Sequence, residues 1–209
     1  MFRNLSSHCK SGFSGPFYFT NKIIIVLFSK IETMTYPILE TERLILRQLT
    51  HHDAEDLFEY FSQDKVMEYY DLETFKALED ANNIIIHFNN EFEKGKGFRW
   101  ALELKSEKKV IGTCGYHNWY QEHFKAEIGY ELNPAFWHQS YMKEAILPIL
   151  TFGFERMGLH RVEAFIDPAN ISSEKLLQSL HFKEEGSMRD YFFEKGKFVD
   201  AKIFGLINE

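Results

Sequence analysis

Cysteine is nearly absent from this 209-residue chain: Cys9 and Cys114 stand far apart, in no metal-like spacing. That excludes a disulfide framework and a thiolate zinc site, and it suits a reducing cytoplasm. Positive charge is scarce too, with 24 Lys and Arg against 31 Asp and Glu, a formal net charge of -7. A surface of that sign disfavours nucleic acid as a direct partner, because phosphate binding needs clustered bases. It suits a cationic amine or a basic protein, and equally an ordinary acidic soluble protein. Long apolar runs are missing as well. The strongest, residues 17–29 (FYFTNKIIIVLFS), is interrupted by Asn21 and Lys22. It falls short of the roughly 20 apolar residues a membrane helix requires. No secretory signal with a small-residue cleavage site stands out, so no membrane partner is expected.

Aromatic residues, by contrast, are plentiful. With 21 Phe and 10 Tyr in a chain that is 44% hydrophobic, strand-borne rings in an α+β core are expected. The pattern changes at Met34. Residues 1–16 are rich in Ser and Gly without periodicity, whereas a well-patterned stretch begins right after Met34. The expected working domain is 34–209, with 1–33 an extension that is disordered or foreign to the native chain, and dispensable.

Within 34–209, LILRQL (44–49) reads as a strand, and Asp53 is placed to cap a helix whose Ala54, Leu57, Phe58 and Phe61 share one face. Leu78, Ala81, Ile85, Phe88 and Phe92 form the stripe of a second helix, ended near Gly95 and Gly97. Runs 98–104, 109–120 and 125–132 predict an antiparallel meander. Pro134 ends it, and a long helix runs from about Ser140 to Arg156, with Pro148 inside predicting a kink. A strand (160–167), a helix behind Asn170, and two closing strands around Gly196 complete the chain. The result is an α+β fold, a mixed but mostly antiparallel central sheet with helices on both faces.

Three segments carry a family likeness. LETERLILRQLTHHDAEDLF (39–58), EIGYELNPAFWHQSYMKEAI (127–146) and NISSEKLLQSLHFKEEGSMRDYFFEKGKFVD (170–200) follow one another in the right order and are spread across most of 34–209. Together they resemble the RimJ/RimL-type branch of the GNAT superfamily, whose members acetylate the N-termini of ribosomal proteins. The resemblance implies a GNAT fold with the sheet splayed at its middle and acetyl-CoA as co-substrate. It implies direct attack by a primary amine through a tetrahedral intermediate, without a metal. The acceptor implied is a protein N-terminal α-amine. A small amine (polyamine, amino sugar or antibiotic) is the alternative, and a non-catalytic CoA-binding module of GNAT fold is a third reading. A homodimer is compatible with the resemblance.

The same likeness assigns roles by position. A coenzyme A pyrophosphate is best held by free amides at a helix N-terminus, which falls to His138, Gln139, Ser140, Tyr141, Met142 and Lys143. The family has glycine where His138 and Ser140 stand and a small residue where Met142 stands, so this loop departs from the pattern; Ser140 reads otherwise as a helix cap. A strand-end amide among Tyr130, Glu131 and Leu132 faces the thioester oxygen, with Gly129 consistent with a bulge. Asn170 contacts the cofactor arm or caps its helix. Ser173 is the acid for the leaving thiolate, since the family's usual tyrosine position is Leu177; a local backbone bond is its plainer role. Glu127 is the first choice of base, ahead of Asp190 and His117. Tyr69, Tyr70, Tyr116 and Tyr191 are candidates for the acceptor cleft between the early helices and the closing hairpin.

Overall fold

A computed structural model describes residues 35–209; the expected extension, 1–33, lies outside the described residues. The strands are β1 (Leu39–Glu40), β2 (Leu44–Gln48), β3 (Phe98–Leu104), β4 (Lys109–Tyr120), β5 (Lys125–Leu132), β6 (Arg161–Ile166), β7 (Lys183–Glu194) and β8 (Lys197–Ile207). The helices are α1 (Ala54–Phe61), α2 (Asp64–Met67), α3 (Leu78–Glu93), α4 (Tyr141–Glu155) and α5 (Ile171–Ser179). The eight strands form one sheet in the order β1-β2-β3-β4-β5-β6-β8-β7. Only β5 and β6 run parallel. Among the described residues no helix is long and apolar enough to cross a membrane.

Alternation along β3 shows how the sheet takes helices on both faces. Phe98, Trp100, Leu102 and Leu104 point to one side, into a cluster with Ala145, Ile146 and Ile149 of α4 and Leu177 of α5. Ala101 points to the other, where Leu57 and Phe61 of α1 and Ala81 and Ile85 of α3 are buried. Each Leu, Ile or Phe among them contributes about 1.5–3 kcal/mol on burial. Helix α4 seats closely because Gly153 lets the Tyr116 hydroxyl reach the Ile149 carbonyl at 2.9 Å; any Cβ there would collide with it. The helix runs on through Pro148.

Two local expectations are corrected. Asp53 does not cap α1, which has no side-chain cap bond. It ends a short 3₁₀ turn and its carboxylate turns back, accepting from the Thr50 amide at 2.7 Å and from both Arg47 Nη atoms at 2.8 Å. The guanidinium fork offers two bonds from a full positive charge where a cap offers one from a neutral amide. Nor is there a bulge at Gly129, which pairs in register with Gly115; the irregularity on β4 lies between His117 and Tyr120.

What positions a site is the partial pairing of β5 with β6. It covers only Lys125–Glu127 against Arg161–Glu163. Beyond those residues β5 continues to Leu132 and β6 to Ile166 without pairing to each other, so the sheet splays open at its middle.

Candidate active site

A cavity of about 720 Å³ occupies the splay. Gly129 and Glu127 line it from one parity of β5, and Tyr130 from the other. Because successive strand side chains point to opposite faces, the cavity crosses the sheet. On the α1/α3 side it is roofed by residues 68–72 and the inner side of α3, and flanked by the β7–β8 hairpin. On the other side α5 contributes Asn170 and Ser173.

Ser173 is buried in the first turn of α5. Its hydroxyl lies 2.6 Å from the Tyr130 hydroxyl, so it reaches across the splay to β5. Asn170 caps α5, its Oδ1 accepting from the Ser173 amide at 3.1 Å. Strand alternation also fixes the free amides. The Asn133 amide donates to Ile111 on β4, and Leu132, one residue earlier, directs its carbonyl away from β4, to the Trp137 indole. The amides of Leu132 and Tyr130 therefore point into the splay.

On the α1/α3 side, Glu127 is largely buried and has His117 Nε2 at 3.4 Å. Beneath them lies a polar network whose Arg99, Thr113 and Glu131 are buried. Arg99 donates to Thr113 Oγ1 at 2.6 Å, to the Tyr70 hydroxyl at 3.3 Å and to Glu131 in a short ion pair, and Thr113 also donates to Glu131. Burial pushes the Glu131 carboxyl up from its ordinary value, against the opposing pull of Arg99 and Thr113. The Arg99 guanidinium lies over Gly129, where a Cβ would come within 2.8 Å of Nη1. Gly129 thus makes room for Arg99 and His117. The Cys114 thiol is buried and pushed up to about 12 by that burial, so it offers no nucleophile near neutral pH.

At the far end of β5, residues 138–143 form the entry to α4. His138 and Ser140 adopt left-handed φ values of 59° and 63°, and Ser140 makes no side-chain cap bond. The first-turn amides of α4 are left without intrahelical partners.

Residues 43–183 match the acetyltransferase (GNAT) domain family. The chain belongs to the GNAT acetyltransferases. It is 39% identical, over 82% of its length and 97% of the relative's, to YoaA of Bacillus subtilis, an uncharacterized N-acetyltransferase. It is 27% identical to the [ribosomal protein uS5]-alanine N-acetyltransferase of Escherichia coli, covering 80% of this chain and 89% of that one. The solved structure of RimL, the ribosomal L7/L12 alpha-N-protein acetyltransferase in complex with coenzyme A, superposes with a TM-score of 0.75 over 82% of this chain and 98% of that one. At 18% identity that likeness speaks for the fold alone.

In this acetyltransferase the expected site residues divide into two groups. Glu127, Tyr130, Asn170 and Ser173 line the central cavity, as do His117, Tyr69 and Tyr70. His138, Gln139, Ser140, Tyr141 and Lys143 lie outside it at the start of α4, while the Met142 side chain turns into the core. Leu132 lies at the end of β5, outside the cavity, and could meet a ligand through its backbone; Glu131, against expectation, could not, since its side chain faces Arg99 and its backbone pairs with Thr113 of β4. Tyr116 contributes to the wall, but its hydroxyl is committed to α4. Asp190 and Tyr191 do not line the cavity: the Asp190 amide bonds Asp200, and Tyr191 stacks on Phe165. Arg99 was not anticipated. The signal was a charge, one of two with Glu103 in FRWALEL, on the strand face that the striped helix α3 had to cover.

Proposed function

We propose that this GNAT acetyltransferase transfers the acetyl group of acetyl-CoA to a primary amine, foremost the α-amine of a protein N-terminus, in the cytoplasm. The observation that carries the reading is the cavity through the splay, with a carboxylate on one face and a hydroxyl on the other. Donor and acceptor can then approach from opposite sides of the sheet and meet between β5 and β6.

The loop before α4 fits a pyrophosphate. It sits at the positive end of a helix dipole, the first-turn amides have no intrahelical partners, and His138 and Ser140 already hold the left-handed backbone that glycine would supply. Residues 138–143 are assigned to that task and Asn170 to the pantetheine arm. Acetyl-CoA supplies the activated thioester. The Tyr130 amide, which points into the splay, is the fixed donor for the carbonyl oxygen as charge develops there. Glu127 takes a proton from the amine nitrogen, which bonds to the carbonyl carbon to give a tetrahedral intermediate, and collapse of that intermediate breaks the carbon–sulfur bond. Ser173 gives its hydroxyl proton to the departing sulfur and recovers one from solvent. The N-terminal preference rests on the ribosomal-protein relative.

The test is acetyl-CoA turnover, read as thiol release, against a panel of N-terminal peptides and small amines. Preferred turnover of peptides supports the reading. Preferred turnover of a polyamine or amino sugar replaces the acceptor, and failure of acetyl-CoA to bind in calorimetry overturns the reading entirely.

A further inference from the structure

The Tyr130–Ser173 contact places the hydroxyls of a half-buried tyrosine and a buried serine 2.6 Å apart across the opening of the sheet. A serine in the first turn of a helix ordinarily bonds its own backbone. Here, among the described residues, the Ser173 hydroxyl meets only the phenol from the opposite strand. We infer that Tyr130 is a positioning residue for acetyl transfer: its O–H donates to Ser173 Oγ and thereby turns the Ser173 hydrogen toward the sulfur in the cleft.

Chemistry fixes the direction of the bond. A phenol is the stronger donor, and its oxygen lone pairs, delocalised into the ring, accept poorly. A serine hydroxyl has one hydrogen and two lone pairs. Once the phenol occupies one lone pair, the serine hydrogen is free to point elsewhere, and the splay is the polar space beside it. Burial pushes the Tyr130 phenol up, so it keeps its proton throughout the neutral range and remains a donor. The position of a helix-borne tyrosine is filled by Leu177, fully buried and without a proton to give. The aromatic hydroxyl of this site therefore comes from the strand and works through the serine.

The inference rests on the reading of Ser173 as the acid, and a double-mutant cycle separates the two. Tyr130→Phe, Ser173→Ala and the double variant of the full chain are compared for kcat, acetyl-CoA KM and Tm, with chemistry rate-limiting. Tyr130→Phe keeps the ring and removes one oxygen. The expected result is a kcat about tenfold lower with acetyl-CoA KM within about twofold, and a double variant no slower than Ser173→Ala, since general-acid help is worth about 10²-fold or more. Full kcat in Tyr130→Phe with loss in Ser173→Ala overturns the inference and leaves the acid in place. Multiplicative losses overturn it too, because each hydroxyl would then act alone. Full kcat in Ser173→Ala removes the acid reading and the inference together.

Discussion

Arg43 and Glu144 join the start of β2 to the first turn of α4, beside the loop assigned to the pyrophosphate. Arg43 Nε donates to Glu144 Oε2 at 2.6 Å, and the Arg43 amide donates to Oε1 at 2.9 Å. The Thr41 hydroxyl donates to Oε1 at 2.5 Å. Arg43 Nη2 also reaches the Gln139 carbonyl at 3.1 Å, and the guanidinium lies 3.9 Å from the Tyr141 ring centroid. The Thr41–Leu44 segment is thus a clamp on residues 139–144. Arg43→Ala is expected to raise acetyl-CoA KM about three- to tenfold and leave saturated kcat unchanged, given the modest worth of a partly exposed pair. Unchanged KM would show that the loop holds its shape without the clamp.

His138 and Ser140 hold a backbone conformation that costs a residue with a Cβ about 1–2 kcal/mol. Ser140→Gly and His138→Gly relieve that strain but add chain entropy to the unfolded state. The expected net is between no change and a gain of about 1 kcal/mol, or about 2–4 °C in Tm for a domain of this size. Acetyl-CoA affinity should be equal or better. Weaker binding in either glycine variant, measured by calorimetry, would show that a side chain at 138 or 140 contacts the ligand.

Asp53 supplies a pH dependence whose sign can be worked out. Burial alone would raise its carboxyl, but the bonds from Arg47 and Thr50 outweigh that and hold it below its ordinary value. A depressed folded-state value means stability is present above the unfolded value of about 3.9 and is lost as pH falls through the lower, folded value. Asp53→Asn should cost about 1–2 kcal/mol near neutral pH, because Arg47 is partly exposed and keeps Glu103 as a partner. Its stability should fall less steeply than the parent's between about pH 4 and 2. Parallel acid-unfolding curves would assign the acid sensitivity to other carboxylates.

Most of the fold was legible because apolar periodicity reports burial directly. The striped helix at Leu78–Phe92 and the three meander strands came out where the alternation put them. Short α2 was not legible, since four residues carry no period. Asp53 was misread because a cap and a carboxylate paired with Arg47 look alike in sequence, and the pairing depends on Arg47 being on the neighbouring strand. The site was harder. Sequence could place Tyr130 and Ser173 on a strand and a helix 43 residues apart, but not their hydroxyls within bonding distance. That meeting depends on how far β5 and β6 diverge, which no local pattern encodes. Arg99 was obscured for a similar reason: its partners Thr113 and Glu131 lie on two other strands.

The final prediction concerns Glu127. An α-amine has a pKa of about 7.7–8.0, so near pH 7 most of the acceptor arrives as ammonium and must lose a proton before it can attack. If Glu127 is the group that takes it, Glu127→Gln should lower kcat/KM for the amine about 10²-fold at pH 7. The deficit should narrow above about pH 8.5, where solvent has already removed the proton. Glutamine retains an oxygen that can accept from His117, which now lies 3.4 Å from the carboxylate, so the substitution tests charge more than position. The pH–rate profiles of parent and variant decide the matter. A loss that stays constant from pH 7 to pH 9 would mean that Glu127 only shapes the cavity wall, and the proton would then leave through His117 or an ordered water.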